Sequence, residues 1–308
     1  GEVAMTEEPI WTVKTFEREQ GNWFSVESAT LYVDFMEAWS WTIRNIRYMG
    51  DEIAGEYGAH GSVVRVDTGA GPKDYHYIGT SHGFETVRDF SILIDGKDQE
   101  TTPGEIGSGR TVVVRKESNL GPFDHEMEIT FPASGDCLIE KHSYKVVEDL
   151  NGRFTYLFAF MHCNNKVLDQ WTAESTDGKA LEGQLPNNEN SRLSVESDVK
   201  SLILYSRAMK KGVTFVYPES YKGADKIESE RSQGATGHFG NCIVDRKKDN
   251  KLYFRPEVKK MGYKPGDVFE YSLKVIPFSA EPDEWRVKGK TLAVFNKCSV
   301  KSILTDGK

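Results

Sequence analysis

The sequence predicts an all-β protein that forms one large domain of several sheets. Runs rich in Val, Ile, Thr, Tyr and Phe recur along the chain, and many alternate apolar and polar residues with a period of two. Turn-forming segments such as IDGKD (94–98) and YKPGD (263–267) separate these runs. No amphipathic helical pattern extends beyond about three turns. A chain of 308 residues is long enough to bury a large core.

Strand-like runs follow one another from residue 11 to residue 278. In chain order they are WTVKTFE (11–17), SATLYVDF (28–35), SWTIRNIRYMG (40–50), SVVRVD (62–67), FSILIDG (90–96), RTVVVRKES (110–118), HEMEITF (125–131), CLIEKHSYKVV (137–147), FTYLFAFMHC (154–163), SRLSVES (191–197), SLILYSR (201–207), GVTFVYP (212–218), KLYFRP (251–256) and VFEYSLKVIPF (268–278). EPDEWRVKG (281–289) has the pattern of a short helix. About fifteen strands exceed a simple sandwich or small barrel, and no fixed repeat indicates a propeller. No low-complexity linker divides the chain, so we expect residues 1–308 to form a single domain.

Net charge and the length of the apolar runs argue against two classes of partner, nucleic acid and membrane. The net charge is −8, from 39 basic and 47 acidic residues, and no basic patch of the kind that binds nucleic acid is present. No apolar run approaches the ~20 residues of a membrane-spanning helix. We therefore expect no nucleic acid partner and no membrane insertion. The sequence also lacks a P-loop, a Rossmann fingerprint and a His-Glu-x-x-His helix, so we expect no cofactor and no metal.

The cysteines and the first residues bear on the compartment. Cys137, Cys163, Cys242 and Cys298 form no Cys-x-x-Cys pair, which excludes the usual zinc and thioredoxin-like spacings. Their number allows two disulfides or four free thiols. The start, GEVAMTEEPIW, has the character of a trimmed mature end. We therefore expect an extracellular or periplasmic protein whose signal peptide has been removed.

The run FTYLFAFMHCNN (154–165) places aromatic side chains on one face of a strand. Because successive side chains point to opposite faces, Phe158, Phe160, His162 and Asn164 share a face. Sugars present apolar C–H surfaces as well as hydroxyls, and such a row of rings suits them. We therefore predict that Phe158, Phe160 and Asn164 bind a sugar or polysaccharide ligand.

Five segments carry a further signal through their order along the chain: SATLYVDFMEAWSWTIRNIRYMGDEIA (28–54), TSHGFETV (80–87), FMHCNN (160–165), GNCIVDR (240–246) and YKPGDVFEYSLKVIPF (263–278). Taken in this order, they resemble motifs of the galactose mutarotase-like (aldose 1-epimerase-like) family. The resemblance implies a large antiparallel β supersandwich that acts on carbohydrates. It also implies an epimerase-type enzyme, in which a histidine and a carboxylate transfer protons at a sugar ring.

Residue by residue, the resemblance assigns a proton-transfer role to His162 and a sugar-binding role to His82, with His76 as a nearby rival. It points to Asp245 as the general base, with Glu257 and Glu270 as rivals, and Arg65 is the nearest counterpart of the family's sugar-holding arginine. An imidazole suits proton transfer because its ordinary pKa lies near neutrality.

A second function, polysaccharide lyase, is compatible with the strand CLIEKHSYKVV. On it Glu140, His142 and Tyr144 share a face, and the turn-like EDLNGR makes this strand a predicted hairpin neighbour of the His162 strand. A His–Tyr pair suits β-elimination at a uronic acid, with Arg255 on the substrate carboxylate.

A third function is a glycan-binding protein without catalysis. Here His238, in TGHFGNC, joins the predicted ligand contacts. All three hypotheses share one geometric expectation, namely that His82, His142 and His162 surround a single hollow.

Overall fold

The structure is a computed structural model. It describes residues 8–18, 20–55, 61–67, 77–100, 104–150, 154–164, 167–175, 178–184, 192–195, 199–216, 241–245, 251–255 and 263–294. For the strands at 154–162, 192–195, 241–245 and 251–255 it describes the backbone alone.

The described residues are mostly β-strand. In chain order the strands are β1 (Trp11–Arg18), β2 (Gly21–Glu27), β3 (Leu31–Met36), β4 (Thr42–Tyr48), β5 (Asp51–Ala54), β6 (Gly61–Asp67), β7 (Glu85–Ile94), β8 (Lys97–Asp98), β9 (Gly104–Gly109), β10 (Val112–Leu120), β11 (Phe123–Phe131), β12 (Leu138–Val146), β13 (Phe154–His162), β14 (Gln170–Ser175), β15 (Ala180–Gln184), β16 (Arg192–Val195), β17 (Val199–Ser206), β18 (Lys211–Val216), β19 (Asn241–Asp245), β20 (Lys251–Arg255) and β21 (Val268–Ser279). Two 3₁₀ helices, Glu37–Trp39 and Thr80–His82, and one α-helix, α1 (Trp285–Val294), complete the set.

Within the described residues these strands form three antiparallel sheets. The six-stranded sheet has the order β5-β4-β3-β2-β1-β9, and the ten-stranded sheet has the order β15-β14-β17-β18-β21-β12-β11-β10-β7-β8. The five-stranded sheet has the order β16-β19-β20-β13-β6. The predicted all-β fold, a large antiparallel supersandwich, is thereby confirmed.

The six-stranded and ten-stranded sheets pack face to face through aromatic rings. Phe24 stacks on Phe35 within the six-stranded sheet at 4.4 Å between ring centroids. Across the interface, Phe24 lies 5.6 Å from Phe90 and Phe35 lies 6.2 Å from Phe131. Because each buried ring removes a large apolar surface from water, this layer dominates the core.

Alternation along β10, β11 and β12 explains why these strands form. In β12 the buried residues alternate with half-buried and exposed ones such as Ile139, Lys141 and Lys145. The inner face of β12 nevertheless carries Glu140 and His142 among the apolar side chains. These buried polar groups require partners, which are described below.

Helix α1 covers part of the ten-stranded sheet, and it confirms the short helix predicted at EPDEWRVKG. Trp285 stacks on Tyr205 of β17 at 5.0 Å between ring centroids. A Cβ on Gly289 would lie 2.8 Å from a methyl carbon of Ile203, so the close approach of helix and sheet requires glycine there.

The structure corrects the predicted pairing of the two histidine strands. β12 pairs with β11 and β21 in the ten-stranded sheet, whereas β13 pairs with β6 and β20 in the five-stranded sheet. The connection through EDLNGR therefore passes between sheets, and β12 and β13 are not hairpin neighbours.

The cysteine alternatives left open by the sequence are partly resolved. Cys137 is in a disulfide, whereas Cys163 is a buried free thiol whose pKa burial raises. Cys298 lies outside the described residues. In the described part of the chain, no helix has the length and apolar character needed to cross a membrane.

Candidate functional site

Backbone register brings several of the predicted site residues into one row of the five-stranded sheet. His162 of β13 pairs with Lys251 of β20, and Lys251 pairs in turn with Asp245 of β19. Asp245 also pairs with Arg192 of β16. Since register partners in an antiparallel sheet share a face, these four residues form a row across four neighbouring strands. We call it the polar row.

The rest of that face continues the pattern that the sequence predicts. Phe158 and Phe160 fall on it because they are two and four residues from His162. Phe160 pairs with Tyr253, and Arg255, two residues further along β20, shares the face. The face therefore combines aromatic residues with the polar row.

The opposite face of the five-stranded sheet belongs to the core. Val64 and Val66 of β6 lie on it, and both are 0% exposed. Val63 shares the face of the polar row and is 4% exposed, so this face is covered at β6. Within the row, His162 and Asp245 are two strand spacings apart, about 10 Å between backbones.

The segment that carries His82 borders the same sheet. Ile78 bridges Val64 at the free edge of β6, so its neighbour Tyr77 falls on the face of the polar row. The Tyr77 ring lies 5.9 Å from the His82 ring, and His82 is exposed at the end of the 3₁₀ helix. His82 therefore lies near the edge of the five-stranded sheet that carries the polar row.

Glycines and an exposed ring characterise this segment. Gly79 and Gly83 flank the 3₁₀ helix with φ of 99° and 83°, values that favour glycine. Phe84 follows with a φ of 63° and is 61% exposed. An exposed phenylalanine held in a left-handed conformation is unusual, and it presents an apolar surface beside His82.

Asn164 makes structural contacts at the end of β13, and its predicted sugar contact stays a prediction. Its Nδ2 donates to the Glu52 carbonyl oxygen at 3.2 Å, and its backbone N–H donates to the Ile53 carbonyl oxygen at 2.8 Å. Together with the bridge between Cys163 and Ala54, these bonds fasten the end of β13 to β5. The predicted contacts His76 and His238 lie outside the described residues.

His142 and Tyr144 share a face, as predicted, but the face is buried. His142 is 4% exposed and Tyr144 is 0% exposed. His142 stacks on Tyr271 at 4.7 Å, and Tyr144 stacks on Phe269 at 5.1 Å. The expectation that these residues line a hollow with His162 is therefore wrong, because the six-stranded sheet covers the face on which they lie.

The polar groups of this buried face form a continuous chain, here called the buried network: Lys116, Glu85, His125, His142 and Glu140. Glu85 Oε1 accepts from Lys116 Nζ at 2.9 Å and lies 3.3 Å from His125 Nδ1. His125 Nε2 lies 3.0 Å from His142 Nδ1, and His142 Nε2 lies 3.3 Å from Glu140 Oε1.

Electrostatics within the buried network follow from these contacts. Burial by itself raises the pKa of Glu85, but the Lys116 ammonium and the His125 hydrogen bond outweigh it and hold that pKa well below its ordinary value. Burial lowers the pKa of His125 to about 4, against the opposing effect of Glu85. Glu85 is thus a carboxylate and His125 a neutral imidazole near pH 7.

A cavity of about 500 Å³ lies on the outer face of the ten-stranded sheet, on the other side of β10, β11 and β12 from the buried network. It is lined by charged and hydroxyl residues, among them Arg115, Glu126, Lys141 and Glu270. Tyr271 also lines this cavity, but this residue is only 5% exposed. Among the described residues, no group of histidine, cysteine and carboxylate side chains has the arrangement of a metal site.

Sequence reasoning missed Lys251, Arg192, Tyr253 and Tyr77 as members of the site face. A strand pattern assigns alternate residues of one strand to a face, but it does not say which residues of distant strands stand beside them. The pairings of β13, β20, β19 and β16 supply that information.

Comparison with known proteins supports the fold and nothing finer. No family model and no curated protein sequence matches the chain. Solved structures that match include an α-mannosidase from Enterococcus faecalis V583, with a TM-score of 0.50, 10% identity and coverage of 92% of this chain and 31% of that one. They also include the α-galactosidase AgaB from Geobacillus stearothermophilus, with a TM-score of 0.47, 7% identity and coverage of 88% and 42%.

A further match is a galactose mutarotase-like protein from Lactobacillus casei ATCC 334, with a TM-score of 0.39, 9% identity and coverage of 82% and 99%. The chain spans less than half of the length of the α-mannosidase and the α-galactosidase. The fold is the large antiparallel β architecture that the sequence predicts, and the match to the α-mannosidase is a likeness of fold alone. At 7–10% identity, the matches say nothing of this chain's activity.

Proposed function

We propose that this protein binds a sugar on the aromatic face of the five-stranded sheet and catalyses an aldose-epimerase-type reaction there. The observation that carries the proposal is the register of the polar row, which sets a histidine and an aspartate two strands apart on one face. At this register the backbones of the two residues are about 10 Å apart, a spacing comparable to the width of a sugar ring with its hydroxyl groups.

In this reaction Asp245 accepts the proton of the anomeric hydroxyl, and His162 donates a proton to the ring oxygen. The bond between the anomeric carbon and the ring oxygen breaks, and an open-chain aldehyde forms. Closure on the other face of the carbonyl, with the two proton transfers reversed, gives the other anomer. Lys251 and Arg192 are the register partners of Asp245 on the two neighbouring strands, so two basic residues flank the proposed general base.

The residues that recognise the sugar follow from the same face. Phe158, Phe160 and Tyr253 offer ring surfaces for its C–H groups. Arg255 is retained as a polar contact, and His82 contributes from the edge of the sheet. His142 and Tyr144 have no part in this proposal, since both are buried.

Non-catalytic glycan binding is the second candidate, and one observation favours it. Lys251 stands between His162 and Asp245 in the register, where a long side chain competes with substrate for the gap. A lyase is not proposed, because its predicted acid–base pair lies in the core. The disulfide of Cys137 supports the expectation of an extracellular or periplasmic location, since disulfides persist in oxidising compartments.

The test is polarimetry of freshly dissolved α-glucose and α-galactose with the wild-type protein and with Asp245→Asn and His162→Asn. We expect each variant to lower the rate of mutarotation by a factor of about 10² to 10⁴, as expected for loss of a general acid or base. Asp124→Asn is the matched control, because Asp124 lies on the ten-stranded sheet in an ion pair with Arg88.

An unchanged rate in both variants would contradict the proposed mechanism. A wild-type protein that leaves the rotation at its spontaneous rate, yet binds a glycan in a way that Phe160→Ala weakens, would support the second candidate. A wild-type protein that neither binds nor turns over any member of a broad sugar panel would contradict both.

A further inference from the structure

The buried network contains more hydrogen-bonded contacts than its residues have protons to fill at neutral pH. Three contacts run in series, from Glu85 to His125, from His125 to His142 and from His142 to Glu140. Each contact needs one proton between its two atoms. Two neutral imidazoles supply two protons, and two carboxylates supply none, so a third proton has to be present.

The position of that proton follows from the first contact. Glu85 Oε1 accepts from Lys116 Nζ at 2.9 Å and from Ser118 Oγ at 2.7 Å, so it is a carboxylate oxygen. His125 Nδ1 therefore carries a hydrogen directed at Glu85. His125 Nε2 is then free to accept from His142 Nδ1, which must carry a hydrogen as well. The remaining contact joins His142 Nε2 and Glu140 Oε1 at 3.3 Å, and it lacks a proton if both residues are in their ordinary neutral-pH forms.

We propose that the His142–Glu140 pair holds one proton in the folded protein, and that the chain takes up this proton when it folds near and above neutral pH. The proton makes His142 an imidazolium beside a carboxylate or makes Glu140 a carboxylic acid beside a neutral imidazole. Either form fills the third contact. Without the proton, a ring nitrogen lone pair and a carboxylate oxygen face each other at 3.3 Å in the core, which is costly.

Charge balance supports the proposal. The small cavity enclosed by the network is lined by Thr42 and Ile43 of β4, Thr80 of the 3₁₀ helix, and Met127 and Ile129 of β11, besides the network itself. Lys116 is the cation among these described lining residues, and it neutralises Glu85. The additional proton offsets the charge of the Glu140 carboxylate within its pair with His142. From β12 and β21, Tyr144 and Tyr271 stack on the imidazoles.

The site of the proton is narrowed by His125. This ring is fully buried, and its pKa is lowered to about 4, so it does not accept a second hydrogen near neutral pH. The proton therefore belongs to the far end of the network, at His142 and Glu140.

The buried network also contacts two segments outside the ten-stranded sheet. Lys116 Nζ donates to the Ser40 carbonyl oxygen at 2.8 Å, at the end of the 3₁₀ helix Glu37–Trp39. Glu85 is the first residue of β7 and directly follows Phe84 in the segment that carries His82.

The decisive variant is Glu140→Gln, because its amide donates a hydrogen to His142 Nε2 with no added proton. The direction of the pH effect on stability follows from the difference in bound protons between the folded and unfolded states. The folded state holds a proton that the unfolded chain releases above about pH 6.5, so the contribution of the His142–Glu140 pair to folding stability is fully present below that pH and is lost as pH rises. In wild-type protein we expect the equilibrium constant for unfolding by urea to increase up to tenfold per pH unit above about pH 6.5, relative to Glu140→Gln.

Glu126→Gln on the exposed outer face of β11 is the matched control, and its pH profile should follow that of the wild type. Parallel profiles for wild type and Glu140→Gln would overturn the proposal. If Glu140→Gln fails to fold, the test uses the wild-type protein alone. The heat of refolding is measured at pH 8 in two buffers of different ionisation enthalpy, and the difference gives the number of protons taken up on folding. Uptake of about one proton supports the proposal, and uptake of none overturns it.

Discussion

The polar row and the buried network are built from the same residue types, histidine and carboxylate on neighbouring strands, yet they lie on faces of opposite character. The buried network occupies the face of the ten-stranded sheet that meets the six-stranded sheet. The polar row occupies the face of the five-stranded sheet opposite its core side. In the first, every proton is committed to a neighbouring residue; in the second, we propose that protons are exchanged with a substrate. Position in the layered fold, more than residue type, separates a stabilising network from a candidate site.

The largest expected effect tests whether the polar row acts as one unit. We expect each single variant, His162→Asn or Asp245→Asn, to lower the mutarotation rate by about 10² to 10⁴. If the two residues serve one proton-transfer reaction, the rate of the double variant should lie within about tenfold of the rate of the slower single variant. The measurement is polarimetry at one sugar concentration for all three variants. Losses that multiply would show that the two residues act independently, and the row would no longer be a unit.

The second prediction concerns the unfolding free energy contributed by the buried network. Lys116→Met leaves the Glu85 carboxylate buried without its cation, which costs about 3–5 kcal/mol of unfolding free energy. Urea denaturation measures it. Arg115→Met is the matched control, since Arg115 makes an exposed ion pair with Glu128, and its loss should cost under about 1 kcal/mol. Equal losses in the two variants would remove the distinction between the two faces of β10.

Acid should weaken the network through His125. Because its pKa is lowered from 6.5 to about 4 by burial, the unfolded chain binds a proton below about pH 6.5 that the folded protein does not. Stability therefore falls as pH drops from about 6.5 towards 4, by on the order of 3 kcal/mol from this residue. His125→Gln should flatten that part of the profile of urea midpoints. His82→Gln, at an exposed position, should leave it unchanged, and a reversed ranking of these two variants would contradict the account.

The smallest effect concerns the rim of the candidate site. Phe84→Ala removes an exposed ring beside His82, so we expect unfolding free energy to change by under about 0.5 kcal/mol. Sugar affinity should weaken by about threefold to tenfold if this ring stacks on the ligand. Isothermal titration calorimetry compares it with Val287→Ala, an exposed residue on α1. An affinity unaffected by Phe84→Ala would confine the site to the sheet itself.

The sequence predicts strands well where one face is buried and the other is not. β10, β11 and β12 alternate strictly, and all three were predicted. β2 was missed because Trp23 to Val26 are all buried, so the run has no alternation. β14 was missed for the same reason, since it is buried on both faces over most of its length.

Long-range pairing explains why the candidate site was only partly predictable. The sequence correctly grouped Phe158, Phe160 and His162, because they lie two residues apart on one strand. It misplaced His142 beside His162, because a turn-like segment does not reveal which sheet the following strand joins. The presence of Lys251 between His162 and Asp245 depends on the pairing of β20 with two strands distant in sequence, and no local pattern indicates it.

The measurement that tests the central claim most directly is a titration with galactose and with glucose, followed through the histidine ring signals in NMR spectra. We predict that the His162 and His82 signals shift on addition of sugar, whereas those of His125 and His142 stay in place. Sugar-dependent shifts at His125 and His142, with none at His162, would contradict the assignment of the polar row as the site.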